Sequence, residues 1–108
     1  MRMTIEQEVL NAACDDWENL EQMYRSIVFE FVADDYDATD PRTYCWRDRQ
    51  SGFTLAGIVD CIAKLVEMGM LDGRAEDGKA KIDVSNEKIA MCWFKISQSG
   101  MEYLENSM

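Results

Sequence analysis

Between Thr54 and Leu71 the chain spells out one helix together with its stop signal. Leu55, Ile58, Val59, Ile62, Leu65 and Val66 fall at i, i+3, i+4, i+7, i+10 and i+11, one unbroken apolar face at helical period. Thr54 starts the segment. Gly69 is placed to end it as a left-handed cap, and Met70-Leu71 turns straight back into apolar sequence. The pattern predicts a helix over 55–68 that must bury this face, so the remaining residues have to supply what it packs against.

The N-terminal third offers two partners. Thr4-Ile5-Glu6-Gln7 reads as a capping box opening a helix that carries Ile5, Val9 and Ala12 or Ala13. Asp15 and Asp16, with Glu18 three residues after Asp15, can cap a second helix. Its stripe is Trp17, Leu20, Tyr24, Ile27, Val28 and Phe31, with Glu18, Glu21 and Glu30 off the stripe. The two stripes also join in phase, so one long bent helix competes with two; the aspartate pair favours two. Pro41 closes the run Asp34 to Asp40. This run fails as a calcium loop: counted from Asp35, the glycine position holds Asp40 and the glutamate position holds Trp46.

Strand formers cluster at Thr43 to Arg47 and, more strongly, at Ile89 to Ile96. Gln50-Ser51-Gly52 is a turn, and residues 72–79 are a loop or the start of a hairpin. Ser97 to Gly100 leads into a short last helix bearing Met101, Tyr103 and Leu104. The expected fold class is α+β: three main helices, a small antiparallel sheet and a short C-terminal helix, in one domain over residues 1–108. That length supports one core without staples.

The stretch Thr54 to Leu71, followed by a charged segment and then Trp93-Phe94-Lys95-Ile96-Ser97-Gln98-Ser99-Gly100, resembles the winged-helix group of helix-turn-helix domains over residues 54–104. In that family the third helix typically ends in a leucine, a few variable residues, a glycine and two apolar residues. A charged wing, a strand and often T-x-x-G come next. The resemblance implies a winged-helix-like fold and, by analogy of fold, a helix that enters the major groove. The long stretch between Asp34 and Phe53 departs from the family's short turn before that helix.

Charge opposes that analogy. The net charge is −10. Residues 1–40 hold eleven acids against Arg2 and Arg25, while residues 41–108 are nearly balanced. Phosphate binding requires surplus Lys and Arg, yet the outward positions of the third helix are Ala56, Gly57, Asp60, Lys64 and Glu67. Candidate nucleic-acid contacts are Arg42, Arg47, Arg49, Lys64, Arg74 and Lys79, interleaved with acids. Candidate contacts to a basic protein partner are Glu18, Glu21 and Glu30, with Trp17, Tyr24, Tyr36, Tyr44, Trp46 and Trp93 as aromatic candidates for anchors or core. A protein-interaction or regulatory module is the leading expectation. A DNA-binding regulator and a small acidic immunity- or antitoxin-type protein are the alternatives.

Catalysis is not expected. The chain has no histidine to activate a nucleophile, no glycine-rich phosphate loop and no metal-ligand spacing. No cofactor or metal is expected either. Cys14, Cys45, Cys61 and Cys92 stand apart, each beside apolar or aromatic residues, and read as buried thiols. Acids in the first eight residues and the lack of a long apolar run predict a cytoplasmic protein without a membrane segment. Pairing of two copies through terminal helices is compatible with this reading.

Overall fold

In a computed structural model the described residues are 3–32, 39, 45–75 and 89–107. The elements run α1 (Ile5–Ala12), β1 (Glu18–Asn19), α2 (Leu20–Val28), β2 (Phe29–Val32), β3 (Cys45–Asp48), α3 (Leu55–Glu67), β4 (Leu71–Ala75), a 3-10 turn (Ile89–Met91), β5 (Cys92–Ile96) and α4 (Gln98–Ser107). The fold is α+β, with four α-helices among the described residues. One antiparallel sheet has the order β1-β5-β4, and a separate two-stranded ribbon pairs β2 with β3.

Local chemistry sets the helix ends. The Thr4 hydroxyl accepts from the Gln7 amide, and the Thr4 amide donates to Gln7 Oε1 at 2.8 Å, so the box predicted from sequence forms. The Gln7 side-chain amide then donates to the Ser107 carbonyl at 2.8 Å, fastening α1 to the end of α4. The Thr54 hydroxyl accepts from the Gly57 amide at 3.1 Å, and Gly69 takes φ 77° after α3.

Some expectations need correction. α1 and α2 are separate helices, but Asp15 caps neither. α2 starts at Leu20 on a second box, in which Asn19 Oδ1 accepts from the Gln22 amide and Gln22 Oε1 from the Asn19 amide. Asn19 wins because Glu18 and Asn19 are already extended, paired with Phe94 and Trp93. Trp17 therefore precedes the helix, and Phe31 lies in β2. Of the strand expected over 43–47, residues 45–47 fall in β3, in register with Phe29 to Val32, and 43–44 lie outside the described residues. The strand expected over 89–96 begins only at Cys92, after the 3-10 turn. Apart from Thr39, the aspartate run 34–40 lies outside the described residues, as does the stretch 76–88.

The core joins all four helices to one face of the three-stranded sheet. Val9 and Leu10 of α1, Met23 and Ile27 of α2, Ile58, Ile62 and Leu65 of α3, and Phe94 of β5 are at most 1% exposed. β5 alternates cleanly, with Cys92, Phe94 and Ile96 buried and Trp93 and Lys95 half-buried on the opposite face. Fully burying a leucine- or phenylalanine-sized side chain contributes about 1.5–3 kcal/mol, so this cluster dominates stability.

The exit of α3 and the entry of α4 lock together. The Ser97 amide donates to the Met70 carbonyl at 3.0 Å, its hydroxyl donates to the Gly69 carbonyl, and that hydroxyl accepts from the Gly100 amide. Gly100 is required by space, because a Cβ there would run into the Met70 carbonyl oxygen. Gly100→Ala is therefore expected to lower the urea midpoint markedly, whereas Gly57→Ala, with neighbours at ordinary or slightly tight distance, should change it little. Equal midpoints for the two variants would refute the junction argument.

Candidate interaction surface

Of the bases proposed to touch nucleic acid, the four among the described residues are engaged within the fold. Arg49 comes directly after β3, and its guanidinium grips the Glu8 carboxylate with both terminal nitrogens, at 3.1 and 3.2 Å. The same guanidinium donates to the carbonyls of Ser26 and Ile27, at 3.0 and 3.1 Å. These carbonyls lie in the last turn of α2, where a cation also suits the helix dipole. Arg47 pairs with Glu30 across the ribbon. Lys64 of α3 lies 3.6 Å from Glu6 of α1. Arg74 lies 4.5 Å above the Trp17 ring, a cation–π contact between β4 and the start of β1. Arg42 and Lys79 fall outside the described residues.

The three acids chosen as one helix face do not share a face. Glu21 alone is on α2, exposed and paired with Arg25 at 2.8 Å. Glu30 belongs to the ribbon. Glu18 is the first residue of β1, half-buried opposite Phe94. Burial, then the charges of Asp16 and Asp15, raises the Glu18 carboxyl above its ordinary 4.5. Asp15, Asp16, Glu67, Glu102 and Glu105 are exposed and form no ion pair among the described residues. Internal pairing thus consumes bases and leaves a surplus of surface carboxylates.

Of the aromatic candidates, Trp46 is 50% exposed. Trp17, Tyr24 and Trp93 are half-buried, while Tyr36 and Tyr44 lie outside the described residues. Of the positions read as outward on α3, Ala56, Asp60, Lys64 and Glu67 are exposed and Gly57 is half-buried.

Sequence reading missed an open cleft of about 380 Å³ lined by Asn19, Leu20, Glu21, Tyr24, Leu55 and Ala90. It lies where the first turn of α2, the first residue of α3 and the 3-10 turn converge. Leu55 is 48% exposed and neighbouring Met91 is 66% exposed. The only advance signal was Leu55 itself, the first residue of the α3 stripe, which projects beyond the core.

Of the cysteines whose side chains are described, none is set up for nucleophilic chemistry. Cys61 and Cys92 are buried and Cys14 is half-buried. Burial, with Glu6 adding to it, pushes Cys61 up to about 11. Among the described residues no group of three or more Cys, Asp or Glu could hold a metal ion, and no helix is long and apolar enough to cross a membrane. Comparison with known proteins finds no match among family models, curated proteins or solved structures.

Two outcomes are expected. Arg49→Met should cost about 3 kcal/mol in urea unfolding, because it strands a buried carboxylate, and a second change, Glu8→Leu, should recover much of it. A loss within surface-mutation noise would refute the pairing. For Glu18, a raised folded value means the charged carboxylate opposes folding: the penalty is absent below pH 4.5 and complete above the folded value. Glu18→Gln should therefore be more stable than the parent at pH 7, with the gap closing towards pH 4.5. A gap that does not depend on pH would contradict this.

Proposed function

We propose that this chain is a non-catalytic winged-helix-like module that binds a basic protein partner and does not read DNA. The observation that carries the reading is the state of its bases. Arg47, Arg49, Lys64 and Arg74 each have an intramolecular partner, while carboxylates on α3, α4 and the α1–β1 connection face solvent. Releasing Arg49 to a phosphate would leave the buried Glu8 carboxylate without its partner, so the electrostatic gain of DNA contact there would be spent in breaking the fold's own pair.

The winged-helix part of the proposal is supported by element order. Helix, short strand, helix, helix, two strands and a final helix succeed one another, with the short first strand beside the last strand of the sheet. The ribbon β2–β3 is inserted between α2 and α3, where a helix-turn-helix would have its short turn. An inserted ribbon changes what the outer face of α3 can approach, and that face carries Asp60 and Glu67 beside Lys64. The absence of histidine from the sequence and the raised Cys61 thiol support a non-catalytic role. A free, buried thiol such as Cys61 suits the reducing cytoplasm.

The test is a titration of the protein into labelled random duplex DNA at low salt, read out by fluorescence anisotropy. Nonspecific DNA binders have dissociation constants of roughly 1–100 µM even at physiological salt. A flat trace to about 100 µM protein is expected. A salt-sensitive rise would overturn the proposal in favour of a DNA-binding regulator.

A further inference from the structure

Three stretches of chain meet at the Ile96 end of β5. The Ile96 amide donates to the Ala13 carbonyl at 3.0 Å, which fixes the start of the α1–β1 connection beside the last residue of the strand. On the β4 side the Ser97 amide donates to the Met70 carbonyl at 3.0 Å and the Ser97 hydroxyl to the Gly69 carbonyl, which brings up the exit of α3. α4 starts from the same point, with Gly100 packed against Met70. Each stretch carries exposed carboxylates within three residues of these contacts: Asp15 and Asp16 after Ala13, Glu67 before Gly69, Glu102 after Gly100. Two exposed methionines come with them. Met68, between Glu67 and Gly69, is 52% exposed, and Met101, between Gly100 and Glu102, is 37% exposed.

This end of the molecule is negative. Among the described residues none of the four carboxylates has a salt bridge. The nearest bases are balanced elsewhere: Lys64, one turn before Glu67, by Glu6, and Lys95 by Asp72 directly across the ladder. α1 and α3 both end here, so two negative helix termini face the region against one positive start, that of α4, whose Gly100 amide is taken by the Ser97 hydroxyl. The last turn of α1 carries no base. After burial, the charges of Asp16 and Asp15 are what raises the Glu18 carboxyl, so their field is felt within the fold. The methionines add a second requirement. A thioether side chain is flexible and polarizable and takes up apolar groups of varied shape. Apolar contact beside carboxylates fits a segment that presents apolar and cationic side chains on one face, a basic amphipathic helix.

We propose that the surface at the Ile96 end of β5 docks a basic amphipathic helix of a partner protein, with aliphatic side chains on Met68 and Met101 and Lys or Arg over Asp15, Asp16, Glu67 and Glu102. This rests on the protein-binding reading and assigns it a surface. The cleft beside Leu55 and Ala90, at the other end of β5, takes no part.

The probe is a peptide of about fourteen residues, four helical turns, made of leucine and lysine in an amphipathic pattern. Its counterpart carries glutamate for every lysine. The isotope-labelled full chain is titrated with each. The lysine peptide should bind and the glutamate peptide should not, with amide shifts centred on Asp16, Met68, Gly69, Met101 and Glu102. Met68→Ser with Met101→Ser should weaken binding about tenfold, equal to about 1.4 kcal/mol, while the exposed positions keep the fold. Glu67→Gln with Glu102→Gln should weaken it several-fold, as should Asp15→Asn with Asp16→Asn, and Leu55→Ser should leave it unchanged. No binding, shifts centred on the Leu55 cleft or another face, or full affinity in the double methionine variant would overturn the assignment. So would shifts at Met68 and Met101 that grow with the concentration of the chain alone, which would make a second copy the occupant. These results would leave the broader protein-binding reading standing, since that reading fails by DNA binding and not by loss of this surface.

Discussion

The contact between Arg49 and Glu8 holds three separate parts of the chain in one arrangement. A carboxylate 9% exposed on α1 cannot be left unpaired without a large desolvation penalty. The last carbonyls of α2 also need donors once the helix gives way to β2. Arg49 meets both needs with one planar guanidinium, and its own amide donates to Val28 at 2.8 Å, extending the pairing of the ribbon. A lysine could supply the charge but not the fork. The path of the chain beyond α2 depends on this contact. The ribbon leaves α2 in register because Arg49 is anchored at its base, and Gln50 and Gly52, both at positive φ, then turn the chain towards Thr54.

How much of this was legible in the sequence depends on the range of each signal. The Thr4–Gln7 box, the α3 stripe, Gly69 and the Ser97–Gly100 pair are written within a few residues of where they act, and all could be read. The start of α2 could not. Trp17 satisfies a helical period, yet β5 claims Glu18 and Asn19 as strand partners from more than seventy positions away. The partner of Arg49 was hidden for the same reason: an arginine beside acids in sequence looks solvated, and Glu8 is 41 residues distant. The cleft was invisible because Leu20, Leu55 and Ala90 share no segment.

These pairings also explain how an acidic chain keeps a mixed-charge middle. Residues 45–49 hold two arginines and one aspartate, which alone suggest a phosphate-seeking patch. In the fold Arg47 crosses to Glu30 and Arg49 to Glu8, so both arginines are turned to internal use. Among the described residues the surface potential is then set by carboxylates such as Asp15, Asp16, Glu67, Glu102 and Glu105, which form no ion pair there. Charge read along the sequence and charge read over the surface differ because ion pairing is selective about which side chains it removes.

The clasp between Gln7 and Ser107 bears on the order of assembly. One side chain completes the first helix's cap and grips the last helix across 100 positions of chain. Loop-closure entropy and contact order place such a bond late. The interlock of residues 69–70 with 97–100 spans far less chain and can form before it. The half of the molecule built on α3, β4, β5 and α4 is thus expected to condense first, with α1 docking onto a surface already made. Gln7 then works as a latch whose closure reports that both ends of the fold have arrived.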